Sequence, residues 1–340
     1  MKRSLIALLC TAVLAGVGAG CAQPSGTQED GRLHIVTTMF PEYDWVRHIL
    51  GDRAGEVEVT MLLDNGADIH SYQPSVQDMI EISTCDLFVH VGGTSDAWVE
   101  DALRERVNGD MVVVNLMEVL GSAVKEEEVV EGMEEDHHDH DHDQDGHDHD
   151  GEEAHTHTGE YDEHVWLSLR NAQTITRTLT EQLCRLDPEH RGVYEANRDS
   201  YLTQLQTLDE AYQQMVEGAP LDTVLFGDRF PFRYLLDDYG VAYYAAFPGC
   251  SAESEASFET VAFLAGKVDE LGLPAILTME QASHQIPRTI RENTREKNQE
   301  ILTLNSMQSV TQAQIEAGMT YCGTMEQNLE VLRQALYGTG

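Results

Sequence analysis

The sequence predicts an α/β protein of two lobes, each a parallel-sheet β/α sandwich, joined by a long rigid helix. Three observations lead to this prediction. Short apolar runs alternate with amphipathic stretches in two separate series, a pattern typical of parallel strands covered by helices. Between the series lies a segment, 190–217, that contains no proline and no glycine after Gly192. The 340 residues also exceed one typical domain.

The first series predicts four strands and three helices. The strands are expected at 33–37, 57–62, 86–91 and 111–114. The helices are expected at 41–50, 74–83 and 95–106. Pro41 and Pro74 stand at the start of the first two, where proline is favoured because its missing N–H would have no helical partner.

Helical periodicity returns at 171–186 and continues through 190–217. In the longer segment the apolar positions that recur are Tyr194, Tyr201, Leu205, Leu208 and Tyr212. The second series then predicts strands at 223–226, 241–246, 275–279 and 301–304. Its first helix is expected to end near 239, and the other three are expected at 255–271, 287–296 and 311–336. Because ligands of open α/β sheets bind at the carboxyl ends of the strands, we expect a ligand cleft between the lobes.

The first twenty residues are typical of an export signal. Lys2 and Arg3 precede an apolar run from Leu5 to Val17, which is too short for a stable membrane span. The sequence Gly18-Ala19-Gly20-Cys21 is similar to a bacterial lipobox, so we expect Cys21 to become a lipidated N-terminus. The alternative is ordinary cleavage near the same small residues. Either way the mature chain is extracytoplasmic, and the lipid would be its only attachment to the cell membrane.

These features divide the chain into seven segments. They are a signal peptide 1–20, a lipidated linker 21–32, an N-terminal α/β lobe 33–125, a disordered metal-binding loop 126–163 rich in His and Asp, the end of the N-terminal lobe 164–189, a connecting helix 190–218 and a C-terminal α/β lobe 219–340.

The loop is the most unusual part of the composition. Residues 136–157 hold eight of the fifteen histidines, in near alternation with aspartate and without an apolar face. Imidazole is a common zinc ligand and carboxylates concentrate cations, so the composition predicts metal binding; a solvated acidic spacer is the alternative. A floppy loop loses conformational entropy on closing around an ion, so it should bind weakly. The histidines are His137, His138, His140, His142, His147, His149, His155 and His157.

The charge balance narrows the class of partner. Sixty acidic residues against 21 basic ones give a formal net charge of −39. The excess extends well beyond the loop, which supplies eighteen of the acidic residues. Such a surface disfavours nucleic acid and anionic membranes as partners and favours cations.

The cysteines do not suggest a metal motif. Cys85, Cys184, Cys250 and Cys322 are widely separated and show no CxxC spacing. An extracytoplasmic location permits a disulfide among them, but the sequence does not select one of the three possible pairings. Buried free thiols are the alternative.

Two histidines outside the loop stand where a selective ligand is expected. His70 lies in the loop that leaves the strand ending near Leu63, and such loops line the cleft of an α/β sheet. His164 stands where the loop rejoins the folded body. Four others fall inside predicted strands or on helix surfaces and are expected to be satisfied polar groups: His34, His48, His90 and His190.

Several motifs together carry a resemblance to a known family. They are Met39-Phe40-Pro41 with Trp45, Gly66 through Tyr72 with Pro74-Ser75, Asp86-Leu87-Phe88 with Gly92-Gly93 and Trp98, Glu163-His164-Val165-Trp166, Tyr194 with Asn197, and Tyr234 with Tyr239-Gly240. Over nearly the whole mature chain, the sequence resembles the solute-binding lipoproteins of ABC importers for zinc and manganese (cluster A-I). The histidine-rich loop before His164 is similar to that of the high-affinity zinc uptake branch.

The resemblance implies that His70 and His164 are two metal ligands. The position of the third ligand holds Arg229, which cannot ligate a cation. Asp228 and Glu280 are therefore the candidates for the third ligand. Each has a structural alternative, which for Asp228 is an ion pair with a neighbouring arginine, Arg229 or Arg233. Where the family typically presents an aspartate as fourth ligand, this chain has Asn305.

The function implied by the resemblance is capture of Zn2+, with Mn2+ second, in the interlobe cleft and delivery to an ABC permease with its ATPase. We expect a monomer that is not an enzyme and whose lobes move little. The alternatives are an extracellular zinc buffer or metallochaperone, a manganese-binding homologue and a zinc hydrolase. The sequence contains no HExxH, nucleophile elbow or phosphate-binding glycine loop, which disfavours the hydrolase.

Overall fold

The computed structural model describes residues 32–134, 160–251 and 255–338. Within these ranges eight strands form two separate four-stranded sheets, and every pairing is parallel. The predicted fold class, two parallel α/β lobes, is therefore confirmed. The signal peptide, Cys21 and the eight loop histidines lie outside the described residues.

The first lobe has the strand order β2-β1-β3-β4. Its strands are β1 (His34–Thr37), β2 (Glu58–Met61), β3 (Leu87–His90) and β4 (Val112–Asn115). The central strands β1 and β3 are buried along their whole length, as expected for parallel strands covered on both faces. The helices are α1 (Phe40–Leu50), α2 (Val76–Thr84), α3 (Val99–Arg104) and α4 (Leu116–Leu120), of which α4 was not predicted.

Two long helices follow, α5 (Leu169–Leu186) at the end of the first lobe and α6 (Arg191–Glu217), which connects the lobes. The predicted long helix thus forms as a single element, and its five recurring apolar residues are all buried. It packs against α1 and α5 of the first lobe and against the C-terminal helix of the second. The buried Tyr212 hydroxyl donates to the Met325 carbonyl across this last contact at 2.7 Å. The helix therefore belongs to the cores of both lobes.

The second lobe repeats the pattern, with the strand order β6-β5-β7-β8. Its strands are β5 (Thr223–Phe230), β6 (Ala242–Pro248), β7 (Ala275–Met279) and β8 (Glu300–Leu304). Its helices are α7 (Arg233–Tyr239), α8 (Phe258–Leu271), α9 (Gln285–Asn293), α10 (Gln312–Glu316) and α11 (Tyr321–Tyr337). β5 runs four residues beyond the predicted end at 226, and its pairing with β6 shifts register between Phe226 and Arg229.

Two local predictions were wrong. The single helix expected at 311–336 is broken into α10 and α11, because Gly318 adopts a φ of 92° and Thr320 caps a new helix by accepting from the Gly323 N–H. The loop 126–163, expected to be disordered, is ordered at both of its described ends. Glu126 pairs with Tyr161 in an isolated antiparallel bridge, since these ends satisfy each other's backbone groups.

Buried polar contacts join the two lobes next to the cleft. The Trp166 indole N–H donates to the Ser306 carbonyl at 2.8 Å, and the Tyr321 hydroxyl donates to the Trp166 carbonyl at 2.7 Å. These three residues are fully buried. The segment that follows His164 is therefore held rigidly between the lobes.

Across the three described ranges, no helix combines the length and the apolar character that a membrane span requires.

Candidate metal centre

His70 lies in the loop after β2, as predicted, within a single 3-10 turn at Ile69–Ser71. Asp68 caps this turn by accepting from the His70 N–H at 3.0 Å. The His70 Nδ1 lies 2.8 Å from the Ser95 hydroxyl, and the Ser95 N–H is itself held by the Glu163 carboxylate at 2.8 Å. These contacts fix the orientation of the His70 ring. The side chain is 13% exposed and lines the mouth of the cleft.

His164 is fully buried at the base of the cleft. The Asp162 Oδ1 lies 2.8 Å from the His164 Nδ1 and accepts the His164 N–H at 2.9 Å. The Tyr234 hydroxyl donates to the Asp162 carbonyl at 2.8 Å, which fixes the segment against the second lobe. His164 is therefore held by contacts from both lobes.

The Nε2 atoms of His70 and His164 point at each other and lie 3.2 Å apart. An imidazole whose Nδ1 hydrogen is donated to an oxygen presents a lone pair at Nε2. Two such lone pairs repel each other unless a proton or a cation lies between them. Two nitrogens bound to one tetrahedral zinc at about 2.05 Å lie roughly 3.3 Å apart. The observed spacing therefore fits a shared zinc ion.

The surroundings shift the pKa of the two imidazoles in opposite directions. Burial, together with the adjacent His164, lowers the pKa of His70 to about 3, so His70 is neutral at neutral pH. Burial also opposes protonation of His164, but the carboxylate of Asp162 outweighs it, helped by that of Glu163, and the pKa of His164 is raised. A proton is thus favoured on His164 and disfavoured on His70.

Cys250 is a third donor that the sequence analysis did not assign. Its sulfur and the ring nitrogens of His70 and His164 all lie within 4.8 Å of one another. Among the described residues, these three form the only group of at least three His, Cys, Asp or Glu donors at this spacing. Cys250 follows the end of β6, and the carboxyl end of a parallel strand is the one sequence signal that could have indicated it. Burial and the nearby Glu127 carboxylate raise the pKa of its thiol.

The two predicted carboxylate ligands do not join this group. Asp228 accepts the Arg229 N–H at 2.9 Å and the Thr278 hydroxyl at 2.9 Å. It lines the same cavity as His70 but lies outside the donor cluster. Glu280 is turned to Ser306, whose N–H and hydroxyl it accepts at 2.7 and 2.6 Å. The Glu280 carboxylate therefore stabilises a loop of the second lobe through these two hydrogen bonds.

Both ion pairs proposed for Asp228 are also absent from the described residues. Arg229 reaches across the cleft to Asp68 at 2.8 Å, and Arg233 lies against Asp237 and Glu128. Arg229 thus occupies the expected ligand position as a link between the lobes. Asn305 uses its side-chain oxygen to accept the Met307 N–H at 2.8 Å, so it caps a turn.

A cavity of about 500 Å³ opens beside His70. The first lobe contributes Asp68, His70 and Ser71 to its wall, and the second lobe contributes residues around Arg229, Cys250 and His284. The candidate ligands therefore stand at the interlobe cleft that the fold predicted.

Of the four histidines expected to be satisfied polar groups, His48, His90 and His190 each form a hydrogen bond through the ring, whereas the buried His34 Nε2 forms none. All four rings lie near a carboxylate. His34 lies 3.3 Å from Glu81, His48 lies 3.3 Å from Asp44, His90 lies 3.1 Å from Asp96 and His190 lies 2.8 Å from Asp187. The four cysteines of the folded body are free, with Cys85 and Cys184 buried and Cys250 and Cys322 half-buried.

Comparison with known proteins gives consistent matches over the folded body. The family model "Zinc-uptake complex component A periplasmic" matches residues 35–335. The high-affinity zinc uptake system protein ZnuA of Bacillus subtilis is 29% identical over 327 residues, which cover 96% of this chain and 95% of that protein. The zinc-binding lipoprotein AdcA of Streptococcus pneumoniae is 30% identical over 97% of this chain. This chain spans only 60% of the length of AdcA.

Solved structures agree with these matches. The Zn(II)-bound ZnuA-like domain of Streptococcus pneumoniae AdcA superposes with a TM-score of 0.67 at 26% identity, covering 90% of this chain and 99% of that one. The metal-dependent lipoprotein YcdH of Bacillus subtilis superposes with a TM-score of 0.68 at 25% identity, covering 90% and 100%.

Proposed function

Because the chain belongs to the zinc-uptake complex component A family, we propose that it is an extracytoplasmic solute-binding protein that captures zinc between its lobes. It then passes the ion to an ABC permease that is driven by its ATPase. The ion is cargo, so no bond in a substrate is made or broken and the protein has no catalytic role. By the same proposal Cys21 carries the lipid anchor and the protein acts as a monomer.

The observation that carries this proposal is the 3.2 Å spacing of the two imidazole Nε2 atoms. Each ring is fixed from behind through Nδ1, by Ser95 for His70 and by Asp162 for His164. Metal-binding histidines are oriented in this way because the second hydrogen bond selects the tautomer and raises ligand basicity. Nitrogen donors favour zinc over manganese, which prefers oxygen. The zinc-named relatives support the same ion.

The histidine-rich segment 136–157 would act as a collector of ions beside this site. The described residues on either side of this segment support that role. Asp162 and His164 follow its C-terminal end within a few residues, and on its N-terminal side the Glu127 carboxylate accepts the Cys250 N–H at 3.2 Å. An ion released by the segment would therefore meet the cleft at its rim.

Zinc titration of the purified protein, monitored by competition with a chelating dye, tests this function. We expect one tight site per chain that is lost in His70→Ala and in His164→Ala, because each variant removes a nitrogen ligand. His190→Ala is the matched control, since His190 pairs with Asp187 away from the cleft, and it should bind like the wild type. Unchanged tight binding in both cleft variants would refute the proposed site.

A further inference from the structure

Building on the proposed function, we propose that the Cys250 sulfur is the third protein ligand of the captured zinc, which gives a site of two histidines and one cysteine. This assignment replaces the carboxylate that the sequence suggested. It also gives a role to a thiol that forms no disulfide.

The distances permit this ligation with little movement. In a tetrahedral zinc site with Zn–N of about 2.05 Å and Zn–S of about 2.3 Å, the sulfur lies roughly 3.6 Å from each nitrogen. The Cys250 sulfur already lies within 4.8 Å of both histidine donors. A side-chain shift on the order of 1 Å would therefore complete the site, well within the reach of one χ1 adjustment.

The backbone before Cys250 is built for close approach to His164. A Cβ on Gly249 would lie 2.9 Å from the His164 Cε1 and 2.9 Å from the Phe230 carbonyl oxygen. Only glycine leaves room there without displacing the ring. The absence of a side chain at 249 thus allows β6 to deliver Cys250 directly onto the imidazole pair.

The segment carrying Cys250 is held on both sides. The Cys250 N–H donates to Glu127 at 3.2 Å, and the Arg229 guanidinium lies 3.5 Å from the Ser251 carbonyl oxygen. Arg229 also bonds to Asp68, two residues before His70. The Arg229 guanidinium, at the expected third-ligand position, therefore holds together the two loops that carry His70 and Cys250. The Cys250 sulfur is then the third ligand in place of residue 229.

The two carboxylates that the sequence suggested as third ligand are not free to bind the ion. Asp228 and Glu280 are engaged by hydrogen bonds within the second lobe. A sulfur ligand has a chemical consequence, because soft thiolate favours zinc and disfavours manganese, a hard ion. Ligation releases the thiol proton to solvent. Cys250 would thus strengthen selectivity for the thiophilic ion in the cleft.

Cobalt substitution tests the assignment, because cobalt(II) bound to a thiolate shows a sulfur-to-metal charge-transfer band in the near ultraviolet. The wild type and the Cys322→Ser control, which removes another half-buried thiol, should bind one cobalt in the cleft and show the band. Cys250→Ser should lack the band and bind zinc at least ~10-fold more weakly, because losing even a hydrogen-bond partner of a metal ligand costs about that much.

A second measurement uses the unaltered protein, so it does not depend on the folding of a variant. Zinc should protect Cys250 from alkylation by iodoacetamide, read by peptide mass spectrometry, and should leave the labelling of Cys322 unchanged. Cobalt bound in the cleft without a thiolate band, or equal labelling of Cys250 with and without zinc, would overturn the cysteine ligand alone. Failure of the wild type to bind either metal tightly would instead overturn the proposed function.

Discussion

At the scale of single residues, the hydrogen bonds behind the two imidazoles decide what the cleft can bind. Asp162 contacts His164 twice, at Nδ1 and at the backbone N–H, so one carboxylate sets both the tautomer and the position of the ring. Ser95 performs the first task for His70. Without these partners the Nε2 lone pairs would not converge, because a free imidazole exchanges tautomers and rotates about χ2.

Replacing Asp162 with asparagine should weaken zinc binding. The Asp162→Asn variant keeps the size of the side chain but removes the negative charge that makes His164 a better ligand. We expect the zinc dissociation constant to rise about 10- to 100-fold, measured by competition with a chelating dye. Asp187→Asn is the matched control, because Asp187 forms the same contact with His190, at 2.8 Å, away from the cleft. Equal zinc affinity in the two variants would contradict this role of Asp162.

At the scale of secondary-structure elements, the irregular end of β5 is the feature that shapes the cleft wall. After the register shift at Phe226–Arg229, Asp228 bonds to Thr278 on the neighbouring strand while Arg229 crosses to Asp68 of the first lobe. Burial opposes ionisation of Asp68, but the hydrogen bond and charge of Arg229 outweigh it and lower the pKa of the Asp68 carboxyl. The strand end thus forms a charged link between the lobes.

Removing this link should destabilise the apoprotein measurably. A double-mutant cycle of Arg229→Gln and Asp68→Asn, read by urea unfolding at neutral pH, should give a coupling energy of about 1 kcal/mol for this partly buried pair. Because folding lowers the Asp68 pKa, the coupling is present above the unfolded pKa of about 3.9 and is lost as the pH falls through the lower folded value.

The exposed pair Arg104 and Asp101 on α3 is the control for this cycle. Its side chains are 66% and 75% exposed, so the same cycle should give a coupling near zero. A coupling between Arg229 and Asp68 no larger than that of the control pair would contradict a linking role.

At the scale of the whole molecule, the acidic composition attracts cations, whereas the two-lobe fold discriminates between them. The net charge of −39 attracts cations to the entire surface, whereas discrimination needs donors held at fixed distances. The long helix α6 supports that rigidity, because it is buried against both lobes. By the proposed function, the histidine-rich segment concentrates ions and takes no part in their selection.

Deleting residues 135–158 should therefore leave the tight site intact. At free zinc 100-fold above its dissociation constant, bound zinc should stabilise the folded protein by about 2.7 kcal/mol. Thermal unfolding with zinc and after chelation should show the same shift with and without the deletion, while the number of weak sites per chain falls. Loss of the zinc-dependent shift on deletion would mean that the segment itself holds the tight site.

The sequence predicted much of the fold because the two β-α series are strongly periodic. Strands such as β1 and β3 are short runs with an apolar centre and are buried along their whole length, and α6 contains no interior helix breaker. The split between α10 and α11 was missed, because a glycine or a threonine is also tolerated inside a helix at modest cost. The positive φ of Gly318 that ends α10 is seen only in the structure.

What the sequence by itself determined is the pair of α/β lobes, the long helix and the loop positions of His70 and His164, since these depend on local periodicity and on strand ends. Only the tertiary structure decided what meets across the cleft. It brings Cys250 to the imidazoles and Arg229 to Asp68, and it turns Glu280 towards Ser306. Those contacts join residues far apart in the chain, and their distances depend on how the lobes pack, which no local pattern encodes.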